Sequence, residues 1–190
     1  MTKYFNREKV VANRVQNAAN VGTAGTGVTA VEYGDGYNHV TVLTLADVAM
    51  GTITGSTNEA FGALVYTFPA GVHVHEVTYM TVGLTTAGTT TTDTPDVGIG
   101  SVIGTGAVSV LSGTATFEDY VTGQTAGDCA GTATTVGPLG ATAGVLTGIS
   151  LNKAADVKAV HINCADGWHA TATGALTADG TVVIKWSTLA

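Results

Sequence analysis

The sequence predicts an all-β protein, an antiparallel β-sandwich of jelly-roll type with about ten short strands and an extended N-terminal arm. Three observations carry this. Apolar and polar residues alternate with period two in many short segments, turn-forming residues bound nearly all of them, and almost no stretch shows helical periodicity. Thr is the commonest residue of the 190, and its branched Cβ suits a pleated surface while its hydroxyl stays wet.

Residues 1–27 form the arm and residues 28–190 the β domain. The arm is polar and Asn-rich. Asn6 can cap a short helix through Val15, with Val10, Val11 and Val15 as a partial stripe. The first clear strand is 39–45, where Val40 and Val42 alternate with Thr41. Residues 61–68 follow, closed by Pro69-Ala-Gly71, and residues 73–83 give the longest strand. Further strands are expected at 97–103, 107–111, 115–121, 145–151, 157–163, 170–176 and 181–186. Ala178-Asp-Gly180 between the last two reads as a tight hairpin turn. Residues 85–94 and 123–144, rich in Thr, Gly and Ala, read as long exposed loops that can order on assembly.

Composition narrows the function. The chain is 45% hydrophobic, too apolar for a disordered protein. No apolar run reaches the ~18 residues of a membrane-spanning helix, so no membrane role is expected. The start lacks the apolar stretch of a signal peptide. Charged residues make up only 11%, against roughly 25% in ordinary soluble proteins. A surface so poor in charge is expected to be covered by other subunits. No Lys or Arg lies between Arg14 and Lys153, whereas ten acids do, and the net charge is −7. That balance excludes a nucleic-acid reader, which needs a basic face. Lys3, Arg7, Lys9 and Arg14 concentrate positive charge in the arm, and with Tyr4 and Phe5 they are the candidate partner contacts.

No catalytic, cofactor or metal site emerges. His73 and His75 share one face of a strand, a spacing that suits two metal ligands and resembles the HxH of cupins. The Glu that cupins place three or four residues later is missing: Glu76 follows at once, on the opposite face, and position 79 is Tyr. Asp93 and Asp96 can cap a turn or contribute to a calcium loop, but match no EF-hand spacing. His161, Asp166, Trp168 and His169 surround Gly167; without a nucleophile signature they read as a strand-end turn with an aromatic anchor. No Gly-Lys-Ser/Thr of a phosphate-binding loop occurs, and Gly98-Ile-Gly100 precedes no helix pattern. Cys129 and Cys164 fit either buried free thiols or one disulfide.

Three segments, Glu32-Tyr-Gly-Asp-Gly-Tyr-Asn-His-Val-Thr-Val-Leu-Thr-Leu45, Asp93-Thr-Pro-Asp-Val-Gly-Ile-Gly100 and Asp179-Gly-Thr-Val-Val-Ile-Lys-Trp186, resemble small structural proteins of tailed bacteriophages. The resemblance spans most of the chain from Val28. It implies a capsid decoration (cement) protein on the virion surface, a β-rich homo-oligomer, most simply a trimer, seated on the major capsid protein with no enzymatic activity and no cofactor. The arm is then the tether to the shell. The alternatives are a phage fibre or appendage component and a carbohydrate-binding sandwich. The latter needs Trp168, Trp186, Tyr33 and Tyr37 as an exposed aromatic platform, whereas the alternation of 182–186 places Trp186 in the core.

Overall fold

The computed structural model describes residues 22–34, 37–55, 57–69, 72–87, 93–108, 111, 116–129, 134–140, 148–150, 159–169 and 173–189. They form eleven strands: β1 Thr23–Ala24, β2 Val28–Gly34, β3 Asn38–Thr54, β4 Ala60–Thr67, β5 Val72–Ala87, β6 Asp96–Gly100, β7 Val121–Thr125, β8 Thr134–Gly140, β9 Gly148–Ser150, β10 Ala159–Ala165 and β11 Thr173–Leu189. One sheet has the order β1-β4-β10-β6-β7 and the other β2-β3-β11-β5-β8, with β9 also on β5. All pairings between strands are antiparallel. From β3 to β8, consecutive strands fall in opposite sheets in pairs, and β10 and β11 return to lie inside each sheet. Two four-stranded layers, β3-β11-β5-β8 and β4-β10-β6-β7, result, which is the jelly-roll order.

Alternation builds the core between the layers. Leu43 and Leu45 on β3, Met80, Val82 and Leu84 on β5, and Val182 and Ile184 on β11 meet Val65, Val97, Ile99, Val160 and Ile162 from the opposite sheet, all buried. Trp186 closes one end: its ring stacks on His39 at 3.7 Å and 8° and meets Phe68 edge-on. Its indole N–H donates to Thr41 Oγ1 at 2.9 Å, so the polar handle of a buried ring is satisfied. At the same end Tyr66 of β4 donates to the Glu32 carboxylate of β2, a direct bond between the two sheets. Thr41 Oγ1 donates to the same Glu32 Oε1 at 3.1 Å, and the Gly22 N–H donates to the Tyr66 oxygen at 3.0 Å.

The segment before β2 belongs to the sandwich as far as it is described. Thr23 and Ala24 pair with Thr67 and Tyr66, and the turn to β2 passes from one sheet to the other with Gly27 at φ 75°, a conformation open to glycine at no steric cost.

Several sequence expectations need correction. Residues 173–176 of the expected strand 170–176 and residues 181–186 are parts of one strand, β11, and Ala178-Asp-Gly180 is no hairpin turn. The registers run Ala178 to Val48 and Gly180 to Leu45, so Ala46 and Asp47 oppose Asp179 alone. This is a bulge, with Asp47 at φ 50° and its N–H donating to Asp179 Oδ1 at 2.8 Å. Asp-Gly supplies the backbone freedom that a bulge uses as well as a turn, and partner strands on both sides leave the chain no room to reverse. Residues 85–87 are strand rather than loop, with Thr86 fully buried. Residues 123–144 are likewise not one loop: the end of β7 and the whole of β8 fall in them. Conversely, residues 107–108 and 116–120 lie outside the strands, although Gly106 makes an isolated bridge to Ala60. β2, which lacks the expected inward apolar alternation, is a full strand on the edge beside β3.

Candidate interaction surface

The outer face of the six-stranded sheet is the most distinctive surface of the molecule. Register aligns three rows across β2, β3, β11 and β5: Val31, Val42, Val183 and Tyr79; Tyr33, Val40, Lys185 and Glu76; Thr29, Thr44, Thr181 and Thr81. With strands ~4.8 Å apart, each row is about 14 Å wide, and rows repeat every ~7 Å along the strands. The first row is wholly apolar apart from one phenol. Val31 is 46%, Tyr33 48% and Tyr79 38% exposed, while Val40, Val42 and Val183 are half-buried by their neighbours. Thr81 Oγ1 donates to the Tyr79 oxygen at 2.7 Å, fixing that ring against the sheet. The charges within these rows are Lys185 and Glu76, directly opposite each other across β11 and β5. Tyr37, beside this face in the β2–β3 connection, is 62% exposed. A contiguous apolar surface of this kind, framed by Thr, is the sort of patch at which proteins commonly make contacts.

The other sheet is covered instead. Residues 101–108 and 116–120 lie across its outer face, over a floor of glycines. A Cβ on Gly100 would stand 2.3 Å from the Phe117 carbonyl carbon, and one on Gly62 equally close to Asn163 Oδ1. Asn163, fully buried, staples the crossing. Its Oδ1 accepts the Gly104 N–H at 2.6 Å, and its Nδ2 donates to the Val102 and Phe117 carbonyls at 2.9 and 2.7 Å. Leu111, Phe117, Ala60 and Ala165 add a small second core beneath the crossing.

Ser101, Asp119 and His161 meet at this cover, yet they do not form a nucleophilic triad. Ser101 Oγ donates straight into Asp119 Oδ2 at 2.6 Å, and the Ser101 N–H into Oδ1 at 2.7 Å. Its proton is therefore committed to the carboxylate rather than to an imidazole base. His161 Nδ1 is buried with no partner, and burial holds the ring's pKa below the usual histidine value. The arrangement fastens a loop.

The residues singled out from sequence are dispersed. Asp166 sits at φ 52° in the turn after β10, where Oδ2 accepts the Leu111 N–H at 3.4 Å. Trp168 is buried beside it, donating to the Glu59 carbonyl at 2.8 Å and meeting Phe61 edge-on, the anchored strand-end turn that the sequence suggests. Trp168 and Trp186 are each only 2% exposed, so of the four aromatic platform candidates Tyr33 and Tyr37 alone present an open ring. Asp96 accepts from Thr125 Oγ1 at 2.7 Å and does not share a site with Asp93, which is buried near Asp128 and His169. The backbones of His73 and His75 pair with Ser150 and Gly148 on one side and Thr188 and Trp186 on the other; their side chains lie outside the described ones. Cys129 and Cys164 are both buried free thiols. Among the described residues no three His, Cys, Asp or Glu side chains gather as a metal-ligating group, and no helix is long and apolar enough to cross a membrane. The arm contacts Lys3, Tyr4, Phe5, Arg7, Lys9 and Arg14 lie outside the described residues.

Sequence reasoning missed the apolar outer face and the Asn163 staple. The first had a signal in Val31 and Tyr33, large apolar residues two apart. The second had none, because a buried Asn looks like a surface Asn until its partners are folded around it. Comparison with known protein families, with curated proteins and with solved structures finds no match.

Proposed function

We propose that this jelly-roll protein is a non-enzymatic structural component of a phage virion, a decoration protein that binds and stabilises the head shell as a homo-oligomer. The single observation that carries the reading is the exposed apolar face of the six-stranded sheet. It is assigned to a neighbouring copy of this chain, because a face with one cation and one anion, Lys185 and Glu76, suits a nearly neutral surface such as the rest of this charge-poor chain rather than a strongly charged partner. The low charge of the whole chain and the resemblance of its segments to phage structural proteins support the same role. The basic arm is assigned to the shell, with the major capsid protein as its partner.

Light scattering on the purified full chain, alone and mixed with empty phage heads, tests this. A stable oligomer of the 19.0 kDa chain, a trimer on the resemblance, that co-sediments with shells is the expected result. A monodisperse monomer that ignores shells overturns it. Deleting residues 2–20 separates the two surfaces: shell binding is lost while the oligomer and the β circular dichroism persist.

A further inference from the structure

We infer that Asp93 and Asp128 form a binding site for a hard divalent cation, calcium by preference, where residues 93–95, 126–129 and 167–169 meet at the end of the five-stranded sheet. The Asp93 side chain is fully buried. Its Oδ1 accepts the His169 N–H at 2.8 Å, but Oδ2 is buried and accepts no hydrogen bond among the described residues. A buried carboxylate oxygen without a partner is strongly unfavourable unless a proton or a cation compensates it. The second carboxylate is at hand: Asp128 Oδ1 accepts the Asp93 backbone N–H at 3.0 Å, and its charge reaches the Asp93 carboxyl. Asp128 is exposed, so the site opens to solvent on that side.

The surrounding backbone is fixed. The Cys129 N–H donates to the Asp93 carbonyl at 3.0 Å, the Ala126 N–H to the Pro95 carbonyl at 2.8 Å, and the Thr94 N–H to the Gly167 carbonyl at 3.0 Å. Thr86 clamps the Cys129 carbonyl through both its N–H and its hydroxyl. His169 also holds Asp93 through its backbone N–H, and its electrostatic effect opposes that of Asp128. The chemistry favours calcium over a thiophilic metal. The donors are carboxylate oxygens, which suit a hard cation rather than a soft one. Two carboxylates leave most of the coordination shell to carbonyls and water, which calcium accepts and a structural zinc site does not.

The test uses the full chain stripped with EDTA, calcium chloride as the sole titrant, isothermal calorimetry and thermal unfolding. One calcium per chain is expected, with a rise in Tm of about 5–10 °C at ~100 times Kd. Asp128→Asn, an exposed change that leaves the core intact, should remove both responses, and Asp93→Asn should do the same. No heat and no shift in Tm overturns the inference, as does calcium binding that survives in both variants. A protein indifferent to calcium whose Tm falls between pH 4 and pH 7 assigns the buried oxygen to a proton and equally overturns it. None of these outcomes depends on oligomerisation or shell binding.

Discussion

Replacing Asn163 with Ala should be among the most damaging single changes in this protein, although the residue touches nothing at the apolar face. The side chain makes three hydrogen bonds, of 2.6, 2.9 and 2.7 Å, each to a backbone group of the crossing segment. Each buried backbone group left unpaired costs ~1–3 kcal/mol, and part of that is recovered if water enters the space, so the net loss is about 3–5 kcal/mol. In a chain of this length ~1 kcal/mol moves Tm by roughly 2–4 °C, so a fall of at least ~6 °C is expected. The damage should also be local. Phe117 and Tyr120, now buried, should become sites of chymotrypsin cleavage while the sandwich stays folded. Asn163→Asp sharpens the test. It keeps the acceptor for Gly104 but turns a carboxylate oxygen towards two carbonyls, so its pKa must rise above the usual ~3.9. The folded state then holds more protons than the unfolded one, and stability present at pH 4 is lost as pH rises towards 7. Differential scanning calorimetry at both pH values, with timed proteolysis, reads all of this. A Tm change under ~2 °C for the Ala variant, or an Asp variant with no pH dependence beyond wild type, would refute the staple.

Other perturbations probe other links. Val31→Glu places a charge in the apolar row at a position already 46% exposed; it should change monomer stability by no more than ~0.5 kcal/mol yet shift the light-scattering mass to monomer. Burial, and then the neighbouring Glu32 for Tyr66 and Asp119 for Tyr120, raises both phenol pKa values well beyond the usual range. Their folded-state protons are retained where an unfolded tyrosine ionises, so this stability is intact below ~pH 10 and lost above it. An ultraviolet titration should therefore show a late step that coincides with unfolding. Both thiols are buried with raised pKa values, so a thiol reagent at pH 8 should label neither Cys129 nor Cys164 in the native protein and both in guanidinium.

How much could be read beforehand follows from what a period of two can carry. In β5, and in β3 from Leu43 on, the inward residues are mainly Leu, Val, Met and Ile, so the sandwich and most strand positions were legible. The core side was misread at 39–42: Val40 and Val42 read as the apolar side, but Thr41 is fully buried and the two valines lie on the outer face. Strand ends were not legible. β11 continues because it is paired with β3 and β5 along its length, and β3 continues past Leu45 on β11 alone; pairing partners distant in sequence leave no local mark. The Asp-Gly at 179–180 misled for the same reason: its local chemistry permits a turn or a bulge, and the neighbours β3 and β5 decide. Asp93 was visible as a loop carboxylate, but its partner Asp128 lies 35 residues away, beyond any spacing rule.

β2 shows why the candidate surface was hardest to see. Its inward positions carry Val28, Ala30 and Glu32, its outward positions Thr29, Val31 and Tyr33, so the larger apolar groups face solvent. Read alone, the strand assigns its dry side to the wrong face or gives no assignment at all. Glu32 breaks the inward pattern because it meets Tyr66 across the core edge, while Val31 and Tyr33 break the outward one because that face is apolar too. Alternation says which residues share a face; it does not say that only one face is dry. A sheet apolar on both sides loses the contrast that makes a strand recognisable. The proposed contact with another copy on this outer face would account for the same loss that hid β2: a face that docks need not stay polar.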